Sequence, residues 1–168
     1  FDSNEITFNR FSKTMFSVSI GRFSSQKNLL FYYSENGSIS VREGDWTDDK
    51  EHGKGVHYDG DGRTYEGQWK NGKKHGYGLL KIVDSGNYEG QWKDGEQHGE
   101  GSLTFENGYK IVGEWRFGSP LKGAASWPNG NKYEGEFNTW EWHGQGKFSL
   151  PDGHHIIGEY KEHKPWQT

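Results

Sequence analysis

The sequence predicts an all-β fold: an elongated, twisted antiparallel sheet of tandem β-hairpins. Three observations predict it. A glycine returns every 22 or 23 residues, at Gly44, Gly67, Gly90, Gly113, Gly135 and Gly158. An aromatic follows two positions after each, at Trp46, Trp69, Trp92, Trp115, Phe137 and Tyr160. The composition is poor in apolar residues (29%) yet holds 26 Gly and 27 aromatics (8 Trp, 9 Tyr and 10 Phe). Ordinary globular domains carry about 45–50% apolar residues, so a deep aliphatic core is not expected. Many glycines imply many turns or close backbone approaches. Aromatics bury a large area each, so a thin sheet can be held by few of them.

Taken in chain order, residues 1–41 form an N-terminal region of strands that caps the array and ends in a degenerate repeat. Phe16, Val18 and Ile20 alternate with Ser17 and Ser19 at the strand period. Residues 6–34 also hold Arg10, Lys13, Arg22 and Lys27 with no acid, faintly like a transit peptide. The strand alternation favours ordinary strands. Residues 30–46 look like the tail of an earlier, degenerate unit. The array then runs over 42–168, with units starting at Arg42, Tyr65, Tyr88, Ile111, Tyr133 and Ile156. The last unit is cut short, and the chain starts at Phe1 rather than Met, so it is expected to belong to something longer.

Within a unit, side chains alternate faces. Tyr65, Gly67 and Trp69 share one face, and Glu66, Gln68 and Lys70 the other. The glycine between two aromatics leaves room for a ring. Asn71-Gly72 and Asp94-Gly95 are turn dipeptides that tolerate positive φ. The returning strands carry Gly78, Leu80 and Ile82, then Gly101, Leu103 and Phe105, then Gly146, Phe148 and Leu150, on the apolar face. Val56 and Tyr58 break this parity in the first unit and leave its register open. The fourth unit (117–123) lacks the His of the others and is one residue short, so an irregularity is expected there. One hairpin is marginal alone. Stacked hairpins advance about 10 Å per unit and form a continuous ladder.

The His-Gly-x-Gly run recurs at His52, His75, His98 and His143. Tyr65-Glu66-Gly67-Gln68-Trp69-Lys70-Asn71-Gly72 and Tyr88-Glu89-Gly90-Gln91-Trp92-Lys93-Asp94-Gly95, each leading into His-Gly-x-Gly, closely resemble the MORN (membrane occupation and recognition nexus) repeat. The resemblance covers about three quarters of the chain. It implies a family of interaction scaffolds in cytoskeletal, axonemal or membrane-associated assemblies. It also implies an intracellular place, in the cytoplasm, cytoskeleton or cilium.

Chemistry is sparse. The chain has no Cys, which removes disulfides, thiolate catalysis and Cys-based zinc sites. No stretch approaches the ~18 apolar residues of a membrane-spanning helix. The His column repeats about 10 Å apart, too far to share one zinc at ~2.1 Å, so no metal is expected there. His154 and His155 with His163 make no better site, because adjacent strand residues face opposite ways. Residues 67–74 miss the Ser or Thr and the helix of a phosphate loop. Glu66, Glu89, Glu114 and Glu134 recur in every unit, as solvated or structural groups would, and nothing splits them into acid and base. Asn36-Gly37-Ser38 is a glycosylation pattern without a signal peptide before it. No catalytic residue and no cofactor is expected.

A net charge of −4 opposes nucleic-acid binding and general attraction to anionic membranes. The leading expectation is a non-catalytic scaffold that binds a partner's extended segment or helix. Its expected contact residues are Trp46, Tyr65, Trp69, Tyr88, Trp92, Trp115, Tyr133 and Phe137 on the aromatic face. Trp140 and Trp142, which lie outside the repeat pattern, join them, and Trp127 and Trp166 are further non-consensus Trp residues. A second expectation is phospholipid binding, since the family has been linked to phosphoinositides and Lys70, Lys73, Lys74 and Lys93 are clustered in sequence. A third, also implied by the resemblance, is a regulatory region of a larger enzyme such as a lipid kinase or lysine methyltransferase.

Overall fold

The computed structural model describes residues 6–12, 15–20, 27–33, 39–48 and 50–165, and among them there is no helix. The expectations for Asn36-Gly37-Ser38 and Trp166 lie outside the described residues. The chain divides into two compact units, Phe1–Val83 and Asp84–Thr168.

The first unit holds β1 (Ile6–Ser12), β2 (Met15–Ile20), β3 (Lys27–Tyr33), β4 (Ile39–Thr47), β5 (Lys50–Tyr58), β6 (Arg63–Lys70) and β7 (Lys73–Ile82). Each strand pairs antiparallel with the next. The second unit holds β8 (Gly86–Lys93), β9 (Glu96–Phe105), β10 (Lys110–Arg116), β11 (Ser119–Ser126), β12 (Lys132–Asn138), β13 (Glu141–Ser149), β14 (His155–Lys161) and β15 (Lys164–Pro165). It is again a meander of sequential antiparallel pairs. Each unit is thus an open sheet of tandem hairpins, all-β as the periodicity predicts.

The glycines of the repeat stand directly opposite one another. In the first unit Gly44, Gly55, Gly67 and Gly78 form one unbroken column across four strands. In the second, Gly90, Gly101, Gly113, Gly123, Gly135, Gly146 and Gly158 do so across seven. The column has a steric cause. A Cβ on Gly67 would stand 2.6 Å from the Tyr65 hydroxyl, and one on Gly78 would meet the same ring. Glycine does leave room for a ring, and the ring is that of the hairpin's own tyrosine.

The turns are those that Asn-Gly and Asp-Gly predict: φ is 53° and 76° at Asn71-Gly72, and 53° and 100° at Asp94-Gly95. After each turn the His-Gly-x-Gly run adds a bulge. Its first glycine is left-handed at Gly53, Gly76, Gly99 and Gly144 (φ 58–73°).

Two details differ from the sequence pattern. In the first repeat, Arg42 pairs with His57 and Gly44 with Gly55, so parity is kept and the register is that of the other repeats. Val56 and Tyr58 turn to the outer face, and the polar Arg42 and His57 take inward positions. An ion pair explains this: the Arg42 guanidinium donates to the Glu51 carboxylate at 2.6 Å, and Glu51 is buried. The fourth hairpin keeps its shape despite the missing residue. Glu114 pairs with Lys122 and Trp115 with Pro120, so the bulge shrinks to Leu121 alone. Pro120, which has no N–H to leave unpaired, is buried there.

Candidate functional site

Within each unit the sheet has two chemically distinct faces. On the inner face the aromatics interlock. Tyr65 and Trp69 meet edge-to-face at 5.0 Å, Tyr88 meets Trp92 at 5.2 Å, and Tyr133 meets Phe137 at 5.4 Å. Within a hairpin the tyrosine hydroxyl donates to a backbone carbonyl three residues on: Tyr65 to Gln68 (2.9 Å), Tyr88 to Gln91 (3.1 Å) and Tyr133 to Glu136 (2.9 Å). Between hairpins the tryptophan does the joining. Trp69 Nε1–H donates to the Gly55 carbonyl (3.3 Å), and Trp115 Nε1–H to that of Gly101 (3.1 Å). Burial pushes the Tyr65 hydroxyl well above the ordinary phenol range, and pushes Tyr133 up to about 12 with help from neighbouring Tyr160. Both hydroxyls therefore stay neutral donors. Lys74 lies over the Tyr65 ring at 5.2 Å, and its pKa is lowered by burial and by Arg63.

Of the aromatic contact residues expected from the sequence, Tyr65, Trp69, Tyr88, Trp92, Trp115, Tyr133 and Phe137 are the core, between 0% and 8% exposed. Trp46 and Trp142 are half-buried, and Trp140 is 38% exposed. The non-consensus tryptophans extend the core. Trp142 stacks on Tyr133 at 4.6 Å and 4°, Trp127 meets Trp142 at 5.5 Å, and Trp140 meets Trp115 at 5.5 Å.

The outer face of the first unit carries an open trough of about 760 Å³. Its floor is the backbone of Gly44, Gly55, Gly67 and Gly78, whose side-chain positions point to the inner face. One wall is the row Glu43, Val56, Glu66 and Leu79, each beside the next in register. The other holds Asp45, Lys54, Gln68 and Tyr77. Asp45 and Gln68 are fixed by the bulges. Asp45 Oδ2 accepts from the Lys54 N–H (3.2 Å), and Gln68 Oε1 from the Tyr77 N–H (2.8 Å). Tyr77, at the third position of His-Gly-x-Gly, is thereby held outward and is 55% exposed. Sequence reasoning missed this wall. The signal was present as an acceptor side chain just before each Trp: Asp45, Gln68, Gln91 and Glu114.

Among the described residues the repeated carboxylates are not set against one another as an acid–base pair. Glu66, Glu89, Glu114 and Glu134 are all exposed. Glu51 is the buried carboxylate among the described residues and is paired with Arg42. Among the described residues no group of three His, Cys, Asp or Glu could hold a metal ion. His98 meets the Phe117 ring at 6.2 Å, and His75 packs with its Nδ1 buried. His154 contacts Asp152 at 3.0 Å within a turn.

Glycine column, tyrosine lock, tryptophan link and bulge together define a tandem β-hairpin repeat protein. The family model of the MORN repeat matches residues 43–62, 65–86, 88–108 and 133–155, about half of the chain, and the chain belongs to that family. MORN arrays are in general interaction modules, and their all-β fold is typically non-catalytic. The fourth hairpin, with its shortened bulge, falls between the matched segments. No curated protein matches the chain.

Proposed function

We propose that this protein is a non-catalytic scaffold that holds an extended segment of a protein partner, inside the cell and within a larger cytoskeletal, axonemal or membrane-associated assembly. The observation that carries this reading is the trough. It is a shallow, open channel across four strands with mixed walls, a shape that suits a chain segment better than a compact small molecule. The buried aromatics are the frame behind it. Trp46, Trp140 and Trp142 are the members of the aromatic set that keep exposed surface. A scaffold without catalysis is supported by the carboxylates, which are solvated or ion-paired rather than set against one another. The test is capture of partners by the tagged chain, repeated with Val56→Arg and Leu79→Arg together. Loss of a captured partner from the still-folded variant supports the reading, and unchanged capture sinks it.

Phospholipid binding is a second reading with one observation behind it. Lys70 and Lys73 face each other beside the Asn71-Gly72 turn, and both are exposed. Flotation on anionic vesicles at low salt tests it, and a chain that stays at the bottom excludes it.

A further inference from the structure

Two neighbouring hairpin tips of the second unit hold large aromatics on left-handed backbone. The β6–β7 and β8–β9 turns carry Asn71-Gly72 and Asp94-Gly95, residue types that adopt positive φ at little cost. The β10–β11 turn puts Phe117 at φ 50° in the place of Asn71 and Asp94. The β12–β13 turn puts Trp140 at φ 78° in the place of the glycine. A bulky side chain is strained in that region, and strain of this kind clusters at functional sites. Burial does not account for it, since Phe117 is 68% exposed and Trp140 38%. We propose that Phe117 and Trp140 form a two-ring ridge that docks one amphipathic helix of a protein partner, lying across the tips. The ridge is a second surface, independent of the trough in the first unit.

Both rings are held in place. The Arg116 guanidinium lies over the Phe117 ring at 5.4 Å, and His98 of the preceding hairpin meets that ring edge-on at 6.2 Å. Trp140 meets Trp115 of the preceding hairpin edge-to-face at 5.5 Å. An anchor already fixed loses little freedom on binding. Each ring leans back on the hairpin before its own, so the pair keeps the spacing of the repeat. That spacing is two strands, about 10 Å.

Residues i and i+7 of an α-helix lie on one face about 10.5 Å apart and reach the two rings together. Residue i+4 of the same stripe covers the space between them. Strand addition is not open to the partner here, because β10, β11 and β12 are each paired on both sides. Polyproline II segments dock in aromatic-lined grooves, whereas these rings stand on protruding tips.

Charge gives the helix a direction. Arg116 stands beside Phe117 and Glu141 beside Trp140, both exposed. Gly118, Ser119 and Thr139, between them at the tips, carry no charge. Glu96 of the preceding hairpin faces Lys93 in register. The ridge is thus positive at its Phe117 end and negative at its Trp140 end. A helix with acids in its first turn and bases in its last, the arrangement its own dipole favours, lies with its N-terminus over Phe117.

The experiment is fluorescence anisotropy on the whole chain with a labelled helical peptide of about 18 residues. It has leucines at i, i+4 and i+7, Glu in its first turn and Lys in its last. One comparator has the leucines scrambled, a second has a central proline that breaks the helix, and a third has Lys at both ends. The patterned peptide is expected to bind about tenfold tighter than each. Phe117→Asn is expected to weaken it about tenfold while raising the melting midpoint of the chain, and a purely structural Phe117 would not split the two readouts in that way. Arg116→Glu is expected to transfer the preference to the peptide with Lys at both ends. Ile157→Gln, at an exposed residue four strands from Phe117, leaves binding unchanged, as does Val56→Arg with Leu79→Arg. Unchanged affinity in Phe117→Asn overturns the inference, as does equal binding of the proline-broken peptide. Loss of binding in the Val56 and Leu79 variant moves the site to the trough and overturns it too. Flotation of the chain on anionic vesicles that Phe117→Asn abolishes, with no preference among the peptides, would assign the ridge to a membrane instead.

Discussion

Tyr65 closes over two glycines, and most of the inner face follows from that contact. Alanine at Gly78 would place a methyl 2.6 Å from the Tyr65 ring. Gly78→Ala is expected to cost about 2 kcal/mol or more as overpacking, read as a lowered denaturant midpoint. Tyr65→Phe keeps the ring and loses the bond to the Gln68 carbonyl, so it should cost only about 1 kcal/mol. The hydroxyls also set an alkaline limit. Tyr133 titrates at about 12 when folded, because burial opposes its charged form, against about 10 when unfolded. The folded state then holds its proton the more tightly. The stability this contributes is complete below pH ~10 and is lost as pH rises from about 10 to about 12. Thermal midpoints across that window should fall, and fall less in Tyr133→Phe. An identical decline in the variant would contradict the assignment.

Hairpins differ mostly at their tips and in their first positions. The β12–β13 turn puts Thr139 at φ 47° and Trp140 at φ 78°, where the β6–β7 and β8–β9 turns have Asn-Gly and Asp-Gly. A β-branched residue is costly in that region. Thr139→Asn should therefore stabilise by about 0.5–1 kcal/mol, measured by thermal melting. No gain would mean that Thr139 has an offsetting contact, such as its bond to Asn138 Oδ1. The first hairpin shows where sequence pattern stops being informative. Turn dipeptides, glycine spacing and alternation were legible because each depends on neighbours in sequence. The inward placing of Arg42 and His57 was not, because it depends on Glu51 arriving across the hairpin to pair with Arg42. Two apolar residues, Val56 and Tyr58, break the alternation there and leave the register open in the sequence. The same ion pair makes Arg42→Ala an expected loss of about 1–3 kcal/mol, since it leaves the Glu51 carboxylate buried without its cation.

Within each unit the repeats are coupled neighbour to neighbour, by strand ladders and by tryptophans that reach back to the preceding hairpin. Trp115→Ala removes a 1%-exposed ring and its bond to Gly101, and should cost about 3–5 kcal/mol. The aromatic column was legible from its spacing, but its depth was not. Alternation gives the face of a side chain, whereas burial depends on rings folding over glycines from the next strand. For the same reason the trough was invisible in the sequence, since its walls come from four strands. The outer face of the first unit is proposed to hold the partner segment, while the inner aromatic face holds the sheet together. Hydroxyl-radical footprinting of the chain with and without its captured partner tests this most directly. Protection of Tyr77, Val56 and Leu79 on binding is the predicted result. Protection elsewhere, with Tyr77 as reactive in the complex as in the free chain, would contradict it.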